Sequence, residues 1–221
     1  MLRVGLTGGL GSGKSTAAAL FQSLGAHTLS SDEIARSLME PGQTVYDQIV
    51  ATFGPSVLIP HDPERRLFRP ALARIAFNQG RVDELNAIIH PATIFRQAEL
   101  ADKIAARDPN AVVIVESALI FETRYGGEDG WRHRFDKLIL VTAPEELRVA
   151  RFIARTAPTG ILTDEMRFSL ETEALSRIAR QIPDDQKAAL CDYVLTNSGA
   201  LTELEWQVDQ LWPLLVKAAH R

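Results

Sequence analysis

The chain has 221 residues, 46% of them hydrophobic and 24% charged, with a formal net charge of −4. That length and apolar share allow a well-buried core and suit one domain with a sizeable insertion. A single cysteine excludes an internal disulfide and a cysteine-cluster zinc site and fits a reducing cytoplasm; mild acidity argues against a nucleic-acid or anionic-membrane surface; no apolar run reaches the length of a transmembrane helix.

Leu2–Thr7 reads as a short buried strand. Gly8-Gly9-Leu10-Gly11-Ser12-Gly13-Lys14-Ser15 follows and satisfies G-x-x-x-x-G-K-[ST], the phosphate-cradling P-loop. Thr16–Leu24 then carries Leu20, Phe21 and Leu24 at helical spacing, and Gly25 ends it. Strand, glycine loop and helix together let backbone N–H groups close around phosphate oxygens at the positive end of a helix. Gly8, Gly9, Gly11, Ser12, Gly13, Lys14, Ser15 and Thr16 are the candidate nucleotide-binding residues. Lys14 is expected to reach the β- and γ-phosphates, and the Ser15 hydroxyl to ligate Mg²⁺. ATP with Mg²⁺ is the implied ligand.

His27–Ser30 reads as a second strand. Asp32 follows it at the start of a helix over Glu33–Leu38, where it is either a carboxylate facing an acceptor hydroxyl or a plain N-cap. From 41 to 107 the alternation breaks. Helices are predicted around Val45–Phe53, Arg69–Asn78, Arg81–Ile89 and Ala92–Ala106, with no convincing strand and an interruption at His90-Pro91. An all-helical insertion suggests a second-substrate subdomain, its bland alternative being a cap that lengthens the core. His90 is read first as packing or capping, and no second histidine stands at metal-ligand spacing, so no zinc is expected.

Val112–Glu116 is apolar without alternation, as in a central strand covered on both faces. Glu116, at its end, is placed to hold Mg²⁺ through water or to bond the P-loop backbone. Glu122 is unreadable by itself. Lys137–Val141 is the next strand, and after Pro144 a helix brings Arg148, Arg151 and Arg155 into a narrow arc. That stripe is either a solvated face or, with the breaker segment Thr156–Gly160 and the following helix bearing Arg177 and Arg180, a lid over ATP spanning 148–187. Cys191–Leu195 reads as a last strand, with Cys191 a small buried hydrophobe. A final helix over Leu201–Ala218 places Leu201, Leu204, Val208, Leu211 and Leu215 on one packing face.

The fold class expected is α/β: a P-loop doubly wound parallel sheet flanked by helices, with an all-helical insertion and a helical lid. GTPases usually carry Asn-Lys-x-Asp, and none occurs here. Small size and a helical insertion favour a kinase of small molecules. Such an enzyme needs an acceptor carboxylate, a Mg²⁺ environment and cations covering the transferring group. Asp32, Glu116 with Ser15, and the stripe of Arg148, Arg151 and Arg155 are the candidates for those needs.

Taken together the chain resembles the dephospho-CoA kinase family over nearly its whole length. Gly5-Leu6-Thr7-Gly8-Gly9-Leu10-Gly11-Ser12-Gly13-Lys14-Ser15-Thr16 is similar to the family's G-L-T-G-G-I-G-S-G-K-S-T. Asp32-Glu33-Ile34-Ala35-Arg36 resembles its D-x-I-A-R. Arg69-Pro70-Ala71-Leu72 with Phe77, then Leu85-Asn86 with His90-Pro91, match the insertion that receives the CoA moiety. Leu119-Ile120-Phe121-Glu122 resembles L-L-F-E; Arg151, Arg155, Arg177 with Gln181, and Asp192 with Asn197 and Gly199 complete the series. The resemblance implies phosphorylation of the ribose 3′-hydroxyl of dephospho-CoA by ATP in the cytoplasm. It implies Asp32 as the base, Thr7, Asp32, Arg69, His90, Leu119 and Glu122 at the acceptor substrate, and Asn197 at the nucleotide. Four departures stand out. Ser30-Ser31-Asp32 replaces the common D-A-D, Glu116 and Ala118 replace Asp and Pro of D-x-P-L-L-F-E, Phe68 replaces an Asp, and the segment from Thr156 to Ala174 is longer than the typical lid. A nucleoside or nucleoside-monophosphate kinase of the same fold, and a P-loop switch without an acceptor, are the alternatives.

Overall fold

The computed structural model describes residues 1–123, 127, 130–157 and 162–220, apart from the side chain of Phe77. The chain divides into two compact units, one of Met1–Leu29 with Lys103–Arg221 and one of Ser30–Asp102.

The first unit is built on a five-stranded sheet of order β2-β3-β1-β4-β5, where β1 is Leu2–Thr7, β2 His27–Ser30, β3 Val112–Glu116, β4 Lys137–Thr142 and β5 Tyr193–Thr196. β1 pairs in parallel with β3 and β4, and β4 with β5. Crossing between neighbours of β1 puts the switch of strand order at β1 itself, so the loops leaving β1 and β3 open side by side at one sheet edge. The register fixes this: Leu6 lies opposite Glu116, and the Ser117 N–H donates to the Leu6 carbonyl at 3.0 Å.

One sheet face is covered by α1 (Lys14–Ser23) and α9 (Leu201–Ala219). Val4, Leu6, Ile114, Ile139 and Val141 meet Ala17 and Phe21 of α1 and Leu204, Val208, Leu211 and Leu215 of α9 in one buried cluster. Each such side chain removed from water contributes about 1.5–3 kcal/mol. Leu201 does not join them; it is 51% exposed, because it occupies the first turn of α9, before the helix meets the sheet. On the other face Gly5 admits Leu138 and Ile120 into a second cluster with Phe121 and Trp131. Then α6 (Glu145–Thr156) packs on α7 (Asp164–Ala179) through Val149, Phe152, Ile153 and Ala174, with Leu10 of the loop after β1 against them. A short α8 (Asp184–Ala188) precedes β5, and Cys191 lies just ahead of that strand rather than inside it. Residues 158–160 of the expected breaker segment lie outside the described residues.

The second unit is helical. It holds α2 (Ser31–Leu38), α3 (Thr44–Phe53), α4 (Arg69–Asn78) and most of α5 (Val82–Ala105). Its cluster centres on Val45, Ile49, Phe53, Val57, Leu67 and Leu72, with Ile88, Ile89 and Ala92 packed against it. The expected interruption at His90-Pro91 is absent: α5 runs through with Pro91 inside it. A proline removes one helical hydrogen bond. Ile88, Ile89 and Ala92 on either side pack against the core cluster.

Candidate active site

The loop between β1 and α1 turns on Gly11 (φ 71°) and Gly13 (φ 93°), both in the left-handed region that a side chain disfavours. Gly13 stands at the N-cap of α1 without a side-chain cap, so the first turn has no internal acceptor for its N–H groups. An anion is the natural partner there.

Four successive loop carbonyls are each held by a donor. The Lys14 ammonium donates to Gly9 O at 3.1 Å, Arg148 Nε to Leu10 O at 2.9 Å, Arg151 Nη1 to Gly11 O at 3.4 Å and Asn197 Nδ2 to Ser12 O at 2.9 Å. The Leu10 N–H donates in turn to Gln181 Oε1 at 2.9 Å. With their peptide planes pinned from outside, the residues of the loop keep one conformation before any ligand arrives, which is what preorganisation requires. The Thr7 and Ser12 hydroxyls are buried here without a hydrogen-bond partner among the described residues.

Ser15 and Glu116 are brought together: the Ser15 hydroxyl donates to Glu116 Oε1 at 2.9 Å, and Ser15 is exposed. A hydroxyl and a carboxylate side by side are hard oxygen donors of the kind Mg²⁺ takes, two protein ligands with water completing the shell. The longer Glu116 side chain therefore still reaches the serine.

Of the arginine stripe, only Arg155 is a solvent-exposed side chain. Arg148 is buried and pairs with Asp184 at 3.3 Å, while the half-buried Arg151 also donates to Asn197 O at 3.0 Å and to Asn197 Oδ1 at 3.3 Å. Asn197 is thus engaged on both ends of its amide with the protein itself. Leu119 is 39% exposed in the loop after β3. Glu122 is drawn inward, paired with the fully buried Lys187 at 2.8 Å and accepting from the Ile182 N–H at 3.4 Å.

The remaining candidates lie in the second unit. Asp32 is exposed in the first turn of α2 and is not its N-cap. Ser30 has that task, its hydroxyl accepting from the Glu33 N–H at 3.3 Å. Serine is among the preferred N-cap residues, as aspartate is. Arg69 is exposed at the start of α4, 3.5 Å from Glu40, and His90 is half-buried in mid-helix.

Comparison with known proteins shows the family. The family model described as dephospho-CoA kinase matches residues 2–203. A dephospho-CoA kinase of Corynebacterium diphtheriae is 37% identical over 210 residues, covering 95% of this chain and 94% of the relative. The chain belongs to the dephospho-CoA kinase family. It is by that membership a phosphotransferase of the kinase class. A solved structure from Thermus thermophilus superposes with a TM-score of 0.72 at 31% identity, covering 97% of each chain. The dephospho-CoA kinase from Campylobacter jejuni, 22% identical with 98% of each chain covered, shares the fold at a TM-score of 0.63.

Three residues escaped the motif reading: Arg148 as a buried group, Asp184 and Lys187. An arginine on a stripe carries no sign of burial, and Asp184 and Lys187 sit in a polar run, Asp184-Asp185-Gln186-Lys187, that reads as solvated surface. Partners 36 and 42 residues away, Arg148 and Thr142, hold Asp184 half-buried.

Proposed function

We propose that this protein transfers the γ-phosphoryl group of ATP to the ribose 3′-hydroxyl of dephospho-CoA, giving CoA and ADP. The observation that carries the reading is the pinned glycine loop beside the Ser15–Glu116 pair, in a chain of this family. Lys14 and the N–H groups at the start of α1 hold the phosphates. Ser15 and Glu116 would hold Mg²⁺, which when bound neutralises charge on the phosphate oxygens. Asp32 orients the acceptor hydroxyl and takes its proton as the new O–P bond forms and the bond from phosphorus to the β,γ-bridging oxygen breaks. Arg151 and Arg155 balance charge on the transferring group. The helical unit, with Arg69 and His90, receives the CoA moiety, and the region of α6, α7 and α8 serves as the lid. The transition state is loose, so positioning and charge neutralisation outweigh base strength.

Mass spectrometry of products from purified protein, Mg·ATP and a panel of dephospho-CoA, AMP, adenosine or water tests this directly. Dephospho-CoA is expected to yield CoA with stoichiometric ADP, and the other acceptors little or nothing. Asp32→Asn is expected to lower turnover by about 100-fold or more while sparing ATP binding. A folded Asp32→Asn protein with undiminished turnover removes Asp32 from the mechanism, and ADP without phosphorylated acceptor removes the reaction.

A further inference from the structure

The P-loop pattern demands glycine at Gly8 and Gly13 and leaves the four positions between them free. This chain has glycine at two of the four, Gly9 and Gly11, and one residue of another element closes on both. A Cβ on Gly9 would stand 2.0 Å from Arg148 Nη2, and one on Gly11 would stand 2.3 Å from the Arg148 carbonyl oxygen. The loop is wound directly onto Arg148. The guanidinium is 8% exposed; its Nε donates to Leu10 O at 2.9 Å and its Nη1 meets Asp184 Oδ2 at 3.3 Å. Asp184 is itself steadied by the Thr142 hydroxyl, which donates to the same oxygen at 2.7 Å from the end of β4. A cation buried behind a phosphate loop without a carboxylate would be costly, and a carboxylate alone would oppose the nucleotide's charge; as a pair they are tolerated.

We propose that the Arg148–Asp184 pair is a positioning device for ATP: it sets the peptide planes of residues 9–11, touches no substrate, and governs nucleotide affinity rather than the acceptor. The inference rests on the loop binding ATP as assigned above. Asp184 supplies the carboxylate that allows a guanidinium to lie there, and Arg148 supplies the backing that keeps the loop open for phosphate.

The test compares wild type, Arg148→Met, Arg148→Lys, Asp184→Asn and the double variant Arg148→Met/Asp184→Asn. Mg·ATP binding is read by calorimetry, steady-state KM and kcat by the coupled release of ADP, and stability by thermal melting. Arg148→Met is expected to raise the ATP Kd about tenfold or more, with the KM for dephospho-CoA unmoved. The double variant removes the unpaired carboxylate, so its melting temperature is expected to recover while its ATP Kd does not. Arg148→Lys keeps one of the two contacts and is expected to fall between. An ATP Kd that recovers together with stability, or a wild-type Kd in folded Arg148→Lys and Asp184→Asn, overturns the role and leaves a plain structural ion pair. Wild-type protein that fails to bind Mg·ATP overturns the reading beneath it instead, so the two failures are distinguishable.

Discussion

Cys191 shows how much of a residue's chemistry is set by its surroundings. Half-buried against Ile120, Phe121, Trp131 and Leu138, its thiol is pushed up to about 12, by burial first and by the neighbouring Asp192 second. The thiolate is the reactive form, so a thiol whose ordinary value is 9.0 loses about three powers of ten in thiolate at mildly alkaline pH. Iodoacetamide is expected to label Cys191 at least about a hundredfold more slowly in the folded protein than in the denatured chain, read by intact mass. Labelling at equal rates would mean the site opens freely. The sign for stability follows: the folded pKa is raised, so the protonated thiol is favoured, and its contribution is lost as pH rises above the unfolded value. Reading Cys191 as a small buried hydrophobe was within reach of the sequence, since a lone cysteine beside an apolar run rarely does anything else.

Among the elements, α2 is the most instructive. On sequence grounds Asp32 is the cap candidate, yet the side chain that closes on the Glu33 N–H is that of Ser30. Asp32 is therefore left in the first turn with its carboxylate exposed, where it also complements the helix dipole. Ser30→Ala is expected to cost about 1 kcal/mol by chemical denaturation, and Ser30→Asp to cost little. An Ala variant as stable as wild type would show that the cap contributes nothing. For α5 the local rule misleads. Pro91 suggests a break, yet the helix spans Val82–Ala105, because apolar packing of Ile88, Ile89 and Ala92 outweighs the single lost hydrogen bond. Propensity is a weak prior wherever a helix is held by its buried side.

At the scale of the molecule, residues 181–187 tie together parts of the chain that are far apart in sequence. Gln181 takes the Leu10 N–H, Asp184 joins Arg148 to Thr142, and Lys187 reaches Glu122 and the Ala118 carbonyl. Lys187 is fully buried, and Glu122 is the carboxylate paired with it. Lys187→Met is expected to destabilise the protein by about 3 kcal/mol, and Lys187→Met/Glu122→Gln to regain part of the loss, measured by denaturant titration. Additive effects would show that the two do not act as a pair. What the sequence determined alone were the local features: the strand, glycine loop and helix at the start, the apolar run of β3, the amphipathic face of α9 and the order of the family's motifs. Those depend on periodicity and on backbone chemistry within a few residues, which a chain displays whatever its tertiary contacts. Which arginine of a stripe is buried, that Arg148 closes on Gly9 and Gly11, and that Lys187 is buried and Asp184 half-buried were decided by the tertiary structure. Each of these depends on a partner dozens of residues away or more, and a charge is interior only once its counter-charge arrives with it.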